Sequence, residues 1–332
     1  MNKQEKKQLY DAMEKAICEK SFYEFFVRAF EIAEPSVPIS VNFHHKYLCD
    51  ILQAEAERIK ENKPKNKDII INIPFRSTKS LLVTVLFPAW CWAVYPKMRF
   101  ITASYSADIS IEHATKSRDI VQSEWYQKHW GDKFHIKKDQ NLKARYENNF
   151  LGSRRATSVG GSVTGQGGDI ILVDDPTSPK NAASQIEREN ANEWYKSTLY
   201  SRLNNPTTGV RVIIMQRVHE DDLSGYLLYN SPDKHRHICI PAELSDDLKP
   251  KELEKHYEDG LFWKERFSRD ILDDYKSALG SYGYAGQLQQ RPTPADSGVL
   301  QKNWFKVDDE KVEGGVNFVV DPAYTASQKN DP

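Results

Sequence analysis

Apolar positions recur every three or four residues from Lys3 to Ala33, at Leu9, Met13, Ile17, Phe22, Phe25 and Phe26, which predicts a helix. Pro35 and Pro38 end it. A second helical pattern, Phe43 to Ile59, runs into the polar stretch Lys60 to Lys67, read as an exposed loop. The period then changes. Asp68 to Ile73 is a short β-branched run, the signature of a strand buried on both faces of a parallel sheet. Helical sequence from Ser80 to Val94, a strand from Arg99 to Ser104 and a helix from Ala107 to Ser123 follow. After a polar, aromatic stretch without a clear period come a third strand, Gly168 to Val173, a helix, Ser184 to Leu203, and a fourth strand, Val210 to Gln216. Strands alternating with helices imply right-handed crossovers and a mainly parallel sheet covered on both faces, an α/β fold. Beyond Ala242 the pattern weakens into Lys-, Glu- and Asp-rich sequence with a helix near Asp270 to Gln290 and a last strand-like run, Gly315 to Val320.

Composition narrows the class. The 332 residues are 39% apolar and 28% charged, with 7 Trp, 16 Tyr and 14 Phe, enough for a packed core and far from a disordered or fibrous chain. Forty-six Lys and Arg nearly cancel 47 Asp and Glu, so the chain is no stoichiometric coat for nucleic acid, although a local basic stripe can still bind DNA transiently. The longest apolar run, Leu81 to Val94, contains Pro88 and falls short of the ~20 residues that span a bilayer. The polar start of the chain does not read as a secretory signal. Cys18, Cys49, Cys91 and Cys239 are scattered with no CxxC pair, which fits a reducing compartment better than a disulfide framework or zinc site.

Two segments carry candidate chemistry. In IIINIPFRSTKS, a strand is followed by a turn and then Lys79 and Ser80 at a helix start. That is the order in which backbone N–H groups and a helix N-terminus hold phosphate oxygens, a lysine adds charge, and a hydroxyl ligates Mg²⁺. Ile73 and Thr78 occupy both glycine positions of the strict pattern, and an ordinary strand-to-helix turn with a solvated lysine would read the same way. In GGDIILVDDP, Asp174 and Asp175 end a buried strand, where open α/β sheets bind ligands. One acid would hold a metal and the other orient a water, or the pair would simply cap a turn. Their order along the chain, with the acids about 95 residues after the loop, favours the nucleotide reading over either segment alone.

At this point the sequence resembles the large terminase subunit of tailed bacteriophages, the motor and nuclease that packages DNA into a prohead. The resemblance is carried by NFHHKYLCDIL, INIPFRSTKS, FPAW, ITASYSADIS, GSRRATSVGGSVTGQGGDIILVDDP, IIMQRVHEDDLSG and YAGQLQQRPTPADSGVLQKNWF, and covers about residues 35 to 325. It implies a P-loop NTPase of the ASCE type: a helical N-terminal segment (1–40), an ATPase core (41–245), a lid or linker subdomain (246–313) and the first strand of a ribonuclease-H-like nuclease domain (314–332). It further implies ATP and Mg²⁺. Pro74, Phe75, Arg76, Ser77, Thr78, Lys79 and Ser80 would form the nucleotide loop, with Arg76 on phosphates or a nearby acid and Ser80 also on the metal. Asp174 would be the metal-side acid and Asp175 the catalytic acid, in a place where many members carry Glu. Gln216 would couple hydrolysis to movement. His44, beside Phe43, would lie on the adenine side; the plain alternative is a surface-helix histidine.

The departures set further expectations. Thr78 stands where the family usually has glycine, so its Cβ should crowd the loop and weaken nucleotide affinity. The family's γ-phosphate arginine often comes from a neighbouring subunit and in some relatives lies just before the third strand, where Thr164 and Gln166 stand here. Arg154 and Arg155 are the nearest substitutes, Arg155 being the candidate kept, against the alternative of a basic hairpin turn. Asp321, in FVVDPAY, corresponds to the first metal acid of the nuclease, but the remaining strands and acids of such a domain do not fit between it and Pro332. The chain therefore reads as truncated or split and without nuclease activity, its 314–332 segment loosely docked; a nuclease metal would bind only if the rest were supplied. Expected partners are double-stranded DNA held by its phosphates without regard to sequence, the portal protein, the small terminase subunit and further copies in a ring. No membrane is involved, and the expected setting is the host cytoplasm and, transiently, the prohead portal. Lys63, Lys65, Lys67, Lys137, Lys138 and Lys143 are candidate DNA contacts. A helicase-like remodeller shares the core, but too little chain follows Ala242 for its second domain. A non-hydrolysing assembly module that binds the portal or small terminase is the alternative.

Overall fold

The computed structural model describes residues 2–163 and 165–293, which form one compact unit. Three helices come first: α1 (Lys3–Lys20), α2 (Phe22–Ala33) and α3 (Phe43–Lys60). The single helix expected from Lys3 to Ala33 is broken at Ser21. Its amide still closes α1 on the Ile17 carbonyl, while its hydroxyl accepts from Glu24 N to cap α2. The loop expected at 60–67 then delivers β1 (Asp68–Asn72).

The helical sequence after β1 is not uniform. A wide, π-type turn, Leu81–Leu86, precedes α4 (Phe87–Val94). Pro88 explains the change of pitch, because it has no N–H to return to the Thr84 carbonyl four residues earlier. That carbonyl is taken instead by the guanidinium of Arg154, fully buried 70 residues away. Next come β2 (Phe100–Ser104), α5 (Ala107–Gln122) and α6 (Glu124–Trp130). The stretch that showed no period folds into three strands, β3 (Ile136–Asn141), β4 (Arg145–Asn148) and β5 (Ser153–Ser158). They are followed by β6 (Ile170–Asp174), α7 (Gln185–Trp194), β7 (Val210–Met215), α8 (Leu223–Asn230), β8 (His235–Cys239) and α9 (Arg269–Gln287).

All eight strands join one sheet in the order β3-β4-β5-β2-β6-β7-β1-β8. The six from β5 to β8 are parallel, and β4 and β3 add an antiparallel edge. In this α/β sheet one strand, β7, separates the loop-bearing β1 from the acid-bearing β6. Alternation explains its burial on both faces. Ile69, Ile71, Leu172, Val212 and Ile214 enter a core with α2, α3 and α4, whereas Ile70, Ile171, Val173 and Ile213 enter a second core with Trp194, Leu223 and Leu227. Register aligns Ser104 with Asp174 and Asp174 with Ile214, so the carboxyl ends of β2, β6, β7 and β1 open on the same edge. Among the described residues no helix is long and apolar enough to cross a membrane, and the four cysteines are free and buried. Gly315 to Val320, Asp321 and Thr164 lie outside the described residues.

Candidate active site

The loop after β1 is shaped by its backbone. Arg76 and Thr78 both take left-handed conformations, φ +58° and +65°, on either side of the buried Ser77. A backbone that alternates hand in this way is the kind that can gather peptide N–H groups into an anion-holding concavity. For a β-branched threonine the conformation is strained, so the missing glycine expresses itself in the backbone as well as in the bulk of its Cβ. The Ser77 hydroxyl donates to the Pro74 carbonyl at 2.7 Å, and the Leu82 amide donates to the Thr78 carbonyl at 3.0 Å, which starts the helix. Phe75 sets its ring edge-on to Tyr275 of α9, centroids 5.0 Å apart. Arg76 is exposed and its side chain has no partner among the described residues.

His44 lies beneath this loop. Its Nε2–H donates to the Ser77 carbonyl at 3.0 Å, and its ring packs among His45, Phe262 and Trp263. It is fully buried, and burial holds its pKa well below the usual histidine range, so it is a neutral strut. A ring with no free face cannot receive an adenine, and the adenine-side expectation for His44 is corrected to support of the loop.

Lys79 and Asp175 meet. Lys79 Nζ is 2.7 Å from Asp175 Oδ2. Asp175 sits at φ +43° just past the end of β6, and its other oxygen accepts from the Gln216 amide at 3.1 Å. Asp174, the last residue of β6, is buried, with Ser80 hydrogen-bonding toward its carboxylate and Thr84 Oγ1 3.4 Å from Oδ2, while Oδ1 has no partner. Burial, then the charge of Asp175, raises its pKa to about 7. A buried carboxylate oxygen without a donor, beside a serine hydroxyl, is chemistry that fits Mg²⁺. Among the described residues no group of three or more His, Cys, Asp or Glu that could hold a metal ion occurs.

These groups face a cavity of about 260 Å³ lined by Ser80, Ser104, Tyr105, His113, Asp174, Asp175 and Gln216. The Gln216 side-chain oxygen is buried and unpaired, and the next amide, Arg217 N, donates to Gln290 Oε1 at 3.0 Å. Consecutive residues after β7 thus touch the acid end of β6 and the segment following α9. His113, on α5, was not marked by the sequence: its Nδ1 lies 3.2 Å from Thr84 Oγ1 and 3.7 Å from Asp174 Oδ2. Burial, followed by the charges of Arg154, Lys116 and Lys79, lowers its pKa to about 4.

The candidate arginines go elsewhere. Arg154 is committed to the Thr84 carbonyl inside the core, and Arg155, on the opposite side of β5, donates to the Ser162 carbonyl at 3.1 Å. Neither is brought to Lys79 and the acids in this chain. Among the candidate DNA-contacting lysines, Lys63, Lys65 and Lys137 pair with Glu61, Asp68 and Glu147, whereas Lys138 and Lys143 stand exposed on the β3–β4 hairpin.

No protein-family model and no curated protein matches the chain. Among solved structures it is similar to the large terminase of a thermophilic bacteriophage in complex with ATP-gamma-S, at 12% identity and TM-score 0.41, over 71% of this chain and 51% of that one. Another crystal form of that phage protein gives 11% and 0.41, over 72% and 52%. A variant of the large terminase ATPase domain of Thermus phage P74-26 gives 10% and 0.46, over 80% and 98%. The chain spans about half the length of the first two of these proteins.

Proposed function

We propose that this chain is the ATP-hydrolysing motor part of a phage large terminase, which drives double-stranded DNA into a prohead. The observation that carries this reading is the meeting of Lys79 with Asp175, next to a buried, half-satisfied Asp174, at the mouth of a strained loop on the carboxyl edge of a parallel sheet. Loop N–H groups and Lys79 hold the triphosphate. Asp175, released from Lys79 when phosphate oxygens replace it, accepts a proton or hydrogen bond from the attacking water. Ser80 and Asp174 would hold Mg²⁺, which would supply charge neutralisation at the phosphates. Hydrolysis then alters what Asp175 offers the Gln216 amide, and the adjoining Arg217–Gln290 hydrogen bond carries the change to the α9 segment.

The proposed partners accord with that role: DNA, gripped by phosphate contacts from groups such as Lys138 and Lys143, the portal protein, the small terminase subunit and neighbouring copies in a ring, one of which supplies the γ-phosphate arginine that this chain does not place. The setting is the host cytoplasm and the prohead portal. The strained Thr78 favours a second reading, a non-hydrolysing assembly module for portal or small terminase. Phosphate release with Mg²⁺ separates the two. The motor reading expects release that is lost in Lys79→Ala and Asp174→Asn, and the assembly module expects the same background in all three proteins.

A further inference from the structure

Resting on the hydrolase reading above, we propose that His113 is a catalytic residue whose Nε2 holds the attacking water. Three observations lead there. The first is place: His113 lines the same cavity of about 260 Å³ as Asp174, Asp175 and Gln216. No sequence motif assigns it a role.

The second is the direction of its hydrogen bonds. Thr84 Oγ1 lies 2.6 Å from the Ser80 carbonyl and 3.4 Å from Asp174 Oδ2, so the one hydroxyl proton goes to the nearer carbonyl. Toward His113 the same oxygen is then an acceptor, and the proton of the ring sits on Nδ1, 3.2 Å away. Asp174 Oδ2, 3.7 Å from the same nitrogen, favours that tautomer further. Pro88 and Arg154 hold Thr84 in place for this contact, the first by freeing its carbonyl and the second by binding it.

The third is the other ring nitrogen. Nε2 has a bare lone pair, makes no hydrogen bond among the described residues, and belongs to a side chain that keeps a fifth of its surface open. A water between Nε2 and the Asp175 carboxylate gives one O–H to each and turns its own lone pair outward.

The test uses three variants. Gln places its amide oxygen near the position of Nε2, and Asn reproduces the position of Nδ1. Single-turnover phosphate release should fall about 10- to 100-fold in His113→Ala and His113→Asn and stay within about threefold of wild type in His113→Gln. Affinity for a fluorescent ADP and the melting temperature should change little in all three. Rescue by Asn but not Gln would mean that only the Thr84 side of the ring matters, and overturns the proposal. So does undiminished release in His113→Ala, or a loss of nucleotide affinity that parallels the loss of rate. Release in the wild type that is indifferent to Lys79→Ala overturns the hydrolase reading, and this inference with it.

Discussion

Lys79 and Asp175 form an ion pair at 2.7 Å between the start of the helical segment after β1 and the residue just beyond β6, and β7 lies between those strands in the sheet. Each side chain therefore occupies the place where the other would meet a phosphate or a water. The pair keeps the cation folded back over the loop, and a bound phosphate must compete with a carboxylate for it.

The first prediction rests on that competition. A ligand that binds only the folded state stabilises it by about 2.7 kcal/mol at a hundred times its Kd. Saturating ADP with Mg²⁺ should raise the melting temperature of the wild type, and Lys79→Ala should abolish the rise. Asp175→Asn frees Lys79 and should tighten ADP binding severalfold while stopping phosphate release. Thermal unfolding with and without nucleotide, beside an ADP titration, checks all three.

Thr78 gives the second. A β-branched residue at φ +65° carries strain of about 1–2 kcal/mol, which glycine does not share. Thr78→Gly should raise stability by about 1 kcal/mol after the added freedom of the unfolded chain is subtracted, and tighten ADP binding by removing a Cβ from the loop. Chemical denaturation and the same titration measure both. Lower stability with unchanged affinity would show that the loop needs the threonine side chain.

How far the sequence foretold this site depended on where each signal is stored. Strands β1, β2, β6 and β7 were legible because a strand buried on both faces must be almost wholly apolar. Their order placed Lys79 and Ser80 opposite Asp174 and Asp175. By contrast, β3, β4 and β5 are polar or only half-buried strands at one side of the sheet, and β8, which reads HRHIC, closes the other, so neither carried a period to detect. The roles of His44, Arg154 and His113 were hidden for another reason. Each depends on one hydrogen bond to a residue 29 to 70 positions away, and nothing local marks such a partner. Thr78 was legible as a departure from glycine, but its left-handed backbone was not.

Asp174 supplies the third prediction. Its carboxylate is buried beside a second acid with one oxygen unpaired, an arrangement that favours a metal and burdens the fold without one. Asp174→Asn should raise the melting temperature of the nucleotide-free protein by about 1–2 °C, the change expected for about 1 kcal/mol in a chain of this size. The same variant should lose phosphate release and the Mg²⁺ dependence of nucleotide binding. A variant less stable than wild type in EDTA would mean that the carboxylate is satisfied as it stands.

The last prediction concerns acid. His44 and His45 pack against each other in the core beneath the loop, ring centroids 3.9 Å apart, His45 lying over Phe26 and edge-on to Trp263. Burial lowers the pKa of both, that of His45 to about 4, against about 6.5 in the unfolded chain. The folded state thus binds fewer protons than the unfolded state between these values, so stability is whole above pH 6.5 and is lost as pH falls toward 4. For His45 alone the loss amounts to about 3 kcal/mol across that window. His45→Asn, which keeps an acceptor for the Asn42 amide but cannot take up a proton, should flatten the dependence of unfolding free energy on pH even if it starts from a lower value. His44 adds a functional consequence, since its Nε2–H supports the Ser77 carbonyl. Charging this pair disturbs the floor of the phosphate loop, so ADP affinity in the wild type should weaken over the same interval and weaken less in His45→Asn. Denaturation midpoints and ADP titrations at pH 7.5, 6 and 5 decide the point, and an affinity that holds steady while stability falls would separate the histidines from the loop above them.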